Sequence, residues 1–450
     1  MRDIVIALVV AYCFVMSFRK PYIGFMSWVW LSLMTPHMIA YGFIVGKPVA
    51  QIAILGTLAG TLIERDKGKL FQHGIVVLQA LFVVWTVITT IYAIYPENSE
   101  YGLTKFSKIM LGMFLSYLLV NTREKLNWLI WLMYFSVGYY GIKGGIFTLR
   151  TGGGGKVWGP EGSFIGDNNA LACALLMVMP LGFYLINVTK HPRLKVGLVV
   201  SMALIGVSVL GSNSRGAFLG LVCVLLYWMK NVPGKQKIIA ALVALFIGAI
   251  AVTFMPQSYW DRMNTVKTYE QDGSAMGRIN AWWCAYNLAK DRFTGAGFDF
   301  ASPYAFKMYA PNPLDLHTAH SIYLQVLGDH GFVGLGLYLL ILGWTWFLLA
   351  GVVRKTKESP DLNWANSLAR MLQLSFIAYY SAGAFLSLSY YDLYWQLVAN
   401  SVILHTLVAK IQTEAATQQT PQGELAKNEK LPSPFVRPQK LSARLNKAQR

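Results

Sequence analysis

Charge is scarce in this chain, and acid is scarcer still. Of 450 residues, 13% are Asp, Glu, Lys or Arg, and 21 acidic side chains stand against 39 basic ones, for a formal net charge of +18. A soluble domain carries about twice that charged fraction, so the scarcity excludes an ordinary water-soluble globule. Cysteine is also sparse. Cys13, Cys173 and Cys223 lie in apolar runs, where a thiol behaves as a small hydrophobe, and Cys284 has no evident partner, which excludes a disulfide framework and a cysteine metal site. No small-residue cleavage site follows MRDIVIALVVAYCFVMSF before RKP, so the first run is expected to stay as a membrane element. There is no repeat of fixed period. There is also no folded basic domain around the Lys and Arg residues, which are scattered through short loops and a tail; membrane topology explains them, and nucleic acid does not.

What the chain does have is hydrophobicity: 55% of residues are apolar and mean hydropathy is +0.44. Apolar runs occupy 3–17, 21–37, 48–63, 75–94, 103–120, 126–149, 169–189, 196–211, 215–229, 238–254, 320–351, 366–388 and 392–409. The breaks ERDKGK (64–69), NTREK (121–125), KHPRLK (190–195), KNVPGKQK (230–237) and RKTKES (354–359) are basic and are expected on the cytoplasmic side. The others then face outward: YPENSEYG, the glycine-rich RTGGGGKVWGPEGSFIGDNN, the SNSR turn, and a long stretch at 255–319. Thirteen crossings would put the N-terminus outside. Taking the two short runs around Arg19, Lys20 and Pro21 as one broken element gives twelve, with both ends cytoplasmic, and this is the preferred count. The expected fold is an all-α polytopic membrane protein of about 12 transmembrane helices. Residues 1–410 form its membrane domain, with 255–319 as an outward helical lid containing TGAGFDF as a turn and PNP as a rigid connection. Residues 411–450, with no apolar face to bury, are expected to be a disordered basic cytoplasmic tail. It either touches anionic membrane lipids or is simply solvated.

Three side chains stand out on the outward side. Arg215, in GSNSRGAFLG, opens an apolar run, where a guanidinium at the centre of a membrane helix costs at least about 2.5 kcal/mol. Arg278 lies in GSAMGRINAWW, and His320 in LHTAHSIYLQVLGDHGFVGLG. An outward cluster of arginines and a histidine, open to lipid, suits a substrate with an anionic head and an apolar tail, since the planar guanidinium bonds phosphate oxygens in pairs and keeps its charge. A neutral imidazole beside it is a general base near pH 7. Each residue also has an ordinary account: Arg215 snorkelling to lipid phosphates, Arg278 a surface charge, His320 a helix cap or a partner of His317. No carboxylate or cysteine completes a metal set around the two histidines.

Other stretches are weaker. GGGGK at 152–156 lacks P-loop spacing and reads as a flexible outward loop. In GPEGSFIGDNNA, Asp167, Asn168 or Asn169 is expected to cap the next helix, although the stretch also has the polarity to position substrate. Glu64 and Asp66, the one acidic E-x-D, fall on the cytoplasmic side and so cannot hold a metal for glycosyl transfer outside.

The motifs GSNSRGAFLG, SAMGRINAWWCA with TGAGFDF, and AHSIYLQVLGDHGFVGLG resemble those of the O-antigen ligase superfamily, which includes lipopolysaccharide O-antigen ligases, O-antigen polymerases and protein O-oligosaccharyltransferases. MRDIVIALVV and KVWGPEGSFIGDNNA also resemble a subgroup of O-glycosylation ligases. Ser321 stands where many members have Asn, and Asp329 where many have Glu. The resemblance implies a glycosyltransferase type C-like fold in the bacterial inner membrane with a periplasmic active site. It implies metal-independent, inverting transfer without a cofactor, from a polysaccharide on undecaprenyl diphosphate to a sugar hydroxyl of lipid A core. It gives Arg215 and Arg278 the diphosphate and His320 the acceptor's proton. Polymerase and protein-glycosylating readings use the same donor. A transporter of lipid-linked anions would show inverted repeats and polar groups at mid-membrane depth, whereas the distinctive residues here are expected to gather at one face.

Overall fold

The computed structural model describes residues 2–231 and 273–428, with side chains described through 417. Among the described residues every regular element is helical. The helices are α1 (Arg2–Ser17), α2 (Pro21–Leu33), α3 (Val49–Ile63), α4 (Gly74–Ile91), α5 (Pro96–Leu119), α6 (Arg123–Thr151), α7 (Asn168–Val188), α8 (Pro192–Gly211), α9 (Arg215–Asn231), α10 (Gly273–Asp291), α11 (Pro303–Tyr309), α12 (Ile322–Thr356), α13 (Asn363–Ala382) and α14 (Asp392–Asn428). The run expected at 238–254, residues 255–272 of the outward stretch, and residues 429–450 of the tail lie outside the described residues. The remaining apolar runs each became a helix. The chain breaks between α1 and α2 where Arg19, Lys20 and Pro21 stand, with Pro21 as the first residue of α2. Through 411–428, where the disordered tail was expected to begin, α14 continues as helix.

Four of the described helices are long and apolar enough to cross a membrane: α4, α7, α8 and α12. Of these, α7 is the most enclosed, with 72% of its membrane-length window buried against 33% for α4 and 39% for α8 and α12. It packs against α6, α8, α9 and α13. Its small and aliphatic residues (Ala170, Ala172, Ala174, Leu171, Leu175) are buried all round, as expected of a helix at the centre of a bundle.

Two departures from regular helix shape the region around the start of α12. Within α12, Gly331 has φ 65° and ψ −170°, a conformation that only glycine adopts readily. Around this break the carbonyls of Gly328, Asp329 and His330 accept from outside the helix: from the Ala296 N–H at 3.0 Å, the Gly297 N–H at 2.9 Å and Trp85 Nε1 at 2.8 Å. The first two donors belong to TGAGFDF. The buried Asp329 carboxylate secures the same loop, accepting from the Phe300 N–H at 2.9 Å and from the Tyr390 hydroxyl at 2.7 Å. The motif expected to be a simple turn is therefore the plug of a broken helix.

The second departure is the link 383–391 between α13 and α14. Ser389 Oγ donates to the Ile322 carbonyl and to Gln325 Oε1, both at 2.8 Å, and the Tyr379 hydroxyl donates to the Leu388 carbonyl at 3.0 Å. Tyr379 shares a 2.6 Å hydroxyl contact with Tyr338 and stacks on Tyr394 with ring centroids 4.4 Å apart. A buried aromatic cluster thus holds an irregular segment against the start of α12.

Glycines on one helix separate these effects. A Cβ on Gly331 would collide with the Phe293 carbonyl oxygen, whereas one on Gly336 meets nothing within 4 Å. Gly331→Ala is expected to destabilise the fold by more than about 3 kcal/mol, from strain plus the backbone clash. Gly336→Ala is expected to be neutral or to gain up to about 1 kcal/mol of helix propensity. Thermal unfolding of the detergent-solubilised variants measures both; equal melting temperatures would mean the break is not specified by Gly331.

Candidate active site

The SNSR turn is built by local hydrogen bonds. Ser212 Oγ accepts from the Ser214 N–H at 3.3 Å, and Ser214 Oγ accepts from the Ala217 N–H at 3.2 Å, which caps α9 and makes Arg215 its first residue. Between them Asn213 takes a left-handed backbone with φ 55°, which Asn tolerates better than most residues. The start of α7 is tied to the same turn, since Asn168 Nδ2 donates to the Ser212 carbonyl at 2.7 Å. Of the three capping candidates Asp167 is the cap, its Oδ1 accepting from the Asn169 N–H at 2.8 Å and the Ala170 N–H at 3.1 Å.

Arg278 is carried by α10, and the loop 310–320 is hydrogen-bonded to that helix just after it and packed against it just before. Asn280 Nδ2 donates to the carbonyls of Asn312 (2.8 Å) and Asp315 (2.9 Å), and Trp282 Nε1 donates to that of Ala319 at 2.7 Å. Gly277 leaves room for the His317 ring directly against α10, where any Cβ would overlap it. His317 does not pair with His320; its Nε2 meets Asp315 Oδ1 at 2.8 Å. Nor does His320 cap α12, because Ser321 does so through the Leu324 N–H.

These pieces enclose one polar pocket of about 710 Å³ of free space, open solvent included. Arg215 and Arg278, distant in sequence, both line it. So do Asn168 and Asn169 from the start of α7, Asn213 and Ser214 from the turn, Ser274 from α10, and Phe385 and Leu386 from the link before α14. No acidic side chain lines it among the described residues. The N-termini of α7 and α9 add partial positive charge to that of the guanidiniums, so the pocket is suited to an anion.

His320 is not part of that lining; it stands at the margin. Its N–H donates at 3.0 Å to Ser387 Oγ, one residue from the pocket wall at Leu386, and its backbone is left-handed with φ 42°. A non-glycine residue there stores roughly 1 kcal/mol or more of strain. Burial pushes the imidazole below its ordinary pKa, the nearby Arg278 guanidinium and His317 push it the same way, and the Asp167 carboxylate opposes them. The ring is therefore neutral at pH 7, and Arg278 and Asp167 are close enough for it to feel both charges.

Sequence reasoning missed several groups. Lys156, the end of GGGGK, lines the pocket as a third cation. Asn213 and Ser274 had no individual signal, and Phe385 and Leu386 read as part of an apolar run. Among the described residues no group of three or more His, Cys, Asp or Glu is placed so as to hold a metal ion.

Residues 1–190 match a family of unknown function, DUF5935, and residues 200–339 match the O-antigen ligase family. No curated protein matches the chain. Arg215, Arg278 and His320 all fall inside the second match. Over residues 200–339 the chain is thus similar to the O-antigen ligase family.

Proposed function

We propose that the chain is an inverting glycosyltransferase of the bacterial inner membrane, moving polysaccharide from undecaprenyl diphosphate to a sugar hydroxyl of lipid A core on the periplasmic side. The observation that carries this reading is the meeting of Arg215 and Arg278 in one pocket, with no acidic side chain among its described lining residues and with His320 at its edge. On this reading about 12 helices cross the membrane and residues 273–319 lie on the outward side.

The chemistry follows from the three side chains. Arg215 and Arg278 take the diphosphate, each guanidinium offering paired hydrogen bonds to phosphate oxygens. The acceptor oxygen attacks the anomeric carbon from the face opposite the diphosphate and inverts it, while His320 accepts the hydroxyl proton. The bond from that carbon to the phosphate oxygen breaks, and its electron pair leaves with the diphosphate. Cations already in place stabilise this charge without reorganisation, the strongest catalytic effect that such a site can exert. No carboxylate nucleophile is needed, in contrast to a retaining glycosidase.

Purified protein in liposomes, given undecaprenyl-diphosphate polysaccharide with lipid A core, with a second polysaccharide, or with an acceptor protein, tests the proposal directly. A core-linked product is expected. Product on the second polysaccharide or on protein alone would replace the acceptor, and no product on any would remove the donor. In that assay His320→Ala is expected to lose about a hundredfold or more in rate with unchanged folding, the scale of general-base catalysis; a rate within a few-fold of the unmodified protein would remove His320 as the base.

Activity should fall as pH drops through the lowered pKa of His320, because protonation occupies the base. Asp167→Asn removes the carboxylate that raises that pKa and keeps an oxygen to cap α7. The acid limb of the rate profile is therefore expected to move to lower pH. An unmoved limb would assign it to another group.

A further inference from the structure

A helix with one face in a protein core ordinarily turns polar side chains to water on the other. In α10 this arrangement is reversed. Asn280 binds the loop 310–320, Asn287 Nδ2 donates to the Tyr309 carbonyl at 2.9 Å, and Asp291 Oδ2 accepts from the Tyr309 hydroxyl at 2.7 Å, so these polar side chains are directed at the protein. Ala281, Cys284, Ala285 and Leu288 are buried in a core with Phe300 and Phe306. The opposite side carries Met276, Ile279, Trp283, Tyr286 and Lys290 at helical spacing, and Phe293 extends the stripe past the helix end. Trp283 is 52% exposed and Phe293 71%. Lys290 is the one charged residue in the stripe, its ammonium 5.6 Å from the centre of the Tyr286 ring.

The stripe is continuous with two surfaces that belong in hydrocarbon. Tyr286 meets the Phe332 ring edge-on with centroids 6.3 Å apart, and Phe332 begins the exposed apolar side of α12 that continues through Leu339 and Leu340. Phe293 meets Trp85 of α4 at 5.6 Å, one helical turn from the exposed Leu81. Both α4 and α12 are long and apolar enough to cross a membrane. Arg292 Nη2 donates to the Tyr92 carbonyl at 2.7 Å, which ties the end of α10 to the end of α4, where that crossing stops. Tryptophan and tyrosine concentrate at this level of a membrane, and a lysine stem lies along apolar surface while its ammonium reaches lipid phosphates.

Given that α4 and α12 cross the membrane, we infer that α10 is docked on the lipid bilayer, with Trp283, Tyr286 and Phe293 at the boundary between headgroups and acyl chains and Lys290 at the phosphates. Arg278 lies five residues before Trp283, about 7.5 Å along the same helix, so the docking fixes the level of this guanidinium relative to the lipid. Docking on lipid requires no particular donor, so it and the transfer proposed above can fail separately.

Full-length protein in nanodiscs of phosphatidylethanolamine and phosphatidylglycerol provides the test. With Cys13, Cys173, Cys223 and Cys284 replaced by alanine, a nitroxide is attached in Trp283→Cys or Tyr286→Cys. Its collisions with oxygen and with a water-soluble nickel complex are read by electron paramagnetic resonance. Oxygen is expected to dominate at both positions, at a depth of about 5–10 Å into the boundary between headgroups and acyl chains. Dominance of nickel would put the stripe in water, and exclusion of both reagents would put it under protein, such as a second copy; either result overturns the docking. A second measurement keeps the native cysteines. In nanodiscs whose acyl chains carry bromine near the headgroup, the unmodified protein is expected to lose more fluorescence, in absolute terms, than Trp283→Phe, because bromine quenches an indole it touches. Equal losses overturn the docking as well.

Discussion

Backbone polar groups inside a membrane have to find partners in the protein, because hydrocarbon offers none. In α12, which is long and apolar enough to cross a membrane, that constraint bears on one place, the break at Gly331. A helix interrupted at Gly331 needs donors for the carbonyls of the turn before it, and the loop 294–300 and Trp85 supply them. Because the loop follows α10 directly, the demand for partners also fixes the C-terminal end of the helix that bears Arg278. The position of a cationic side chain in the pocket is thus partly a by-product of satisfying main-chain carbonyls some distance away.

The same economy operates on the other wall. Asn168 binds the Ser212 carbonyl, Ser214 caps α9, and Asp167 caps α7, so two helix starts and the turn between them form one hydrogen-bonded unit. Capping residues and candidate substrate groups are neighbours here for a physical reason. Exposed N–H groups at a helix start, and the positive end of its dipole, attract side-chain oxygens and anionic ligands alike.

Much of this was readable from the chain. Apolar runs mapped onto helices among the described residues, with the largest error at the end of α14, and SNSR was legible as the turn before the run that Arg215 opens. Arg215 could be named because a guanidinium that opens an apolar run needs a reason, and Arg278 because the expected topology put it on the same side in a motif that resembles the family's. Other features left no trace. GDHGFVGLG contains several glycines, and only the packing of Gly331 against Phe293 distinguishes the one at which the helix breaks. Lys156 follows four glycines that look permissive, yet its position is set by the bond from Val157 to the end of α8, a tertiary fact with no local code. Phe385 and Leu386 reach the pocket because a short irregular link replaces the last turn of a helix. The alternation of apolar residues there cannot reveal it.

The stitching of α10 has a mechanical consequence. Asn280 and Trp282 hold its first half to the segment leading to His320, whose own N–H is held by Ser387, while Ala296 and Gly297 bolt the chain beyond its far end into α12. Swinging α10 away as a flap would shear these fastenings together, at about 1 kcal/mol each. It resists such a motion, so the proposed lipid-borne donor would be admitted at lower cost by movement elsewhere in the protein.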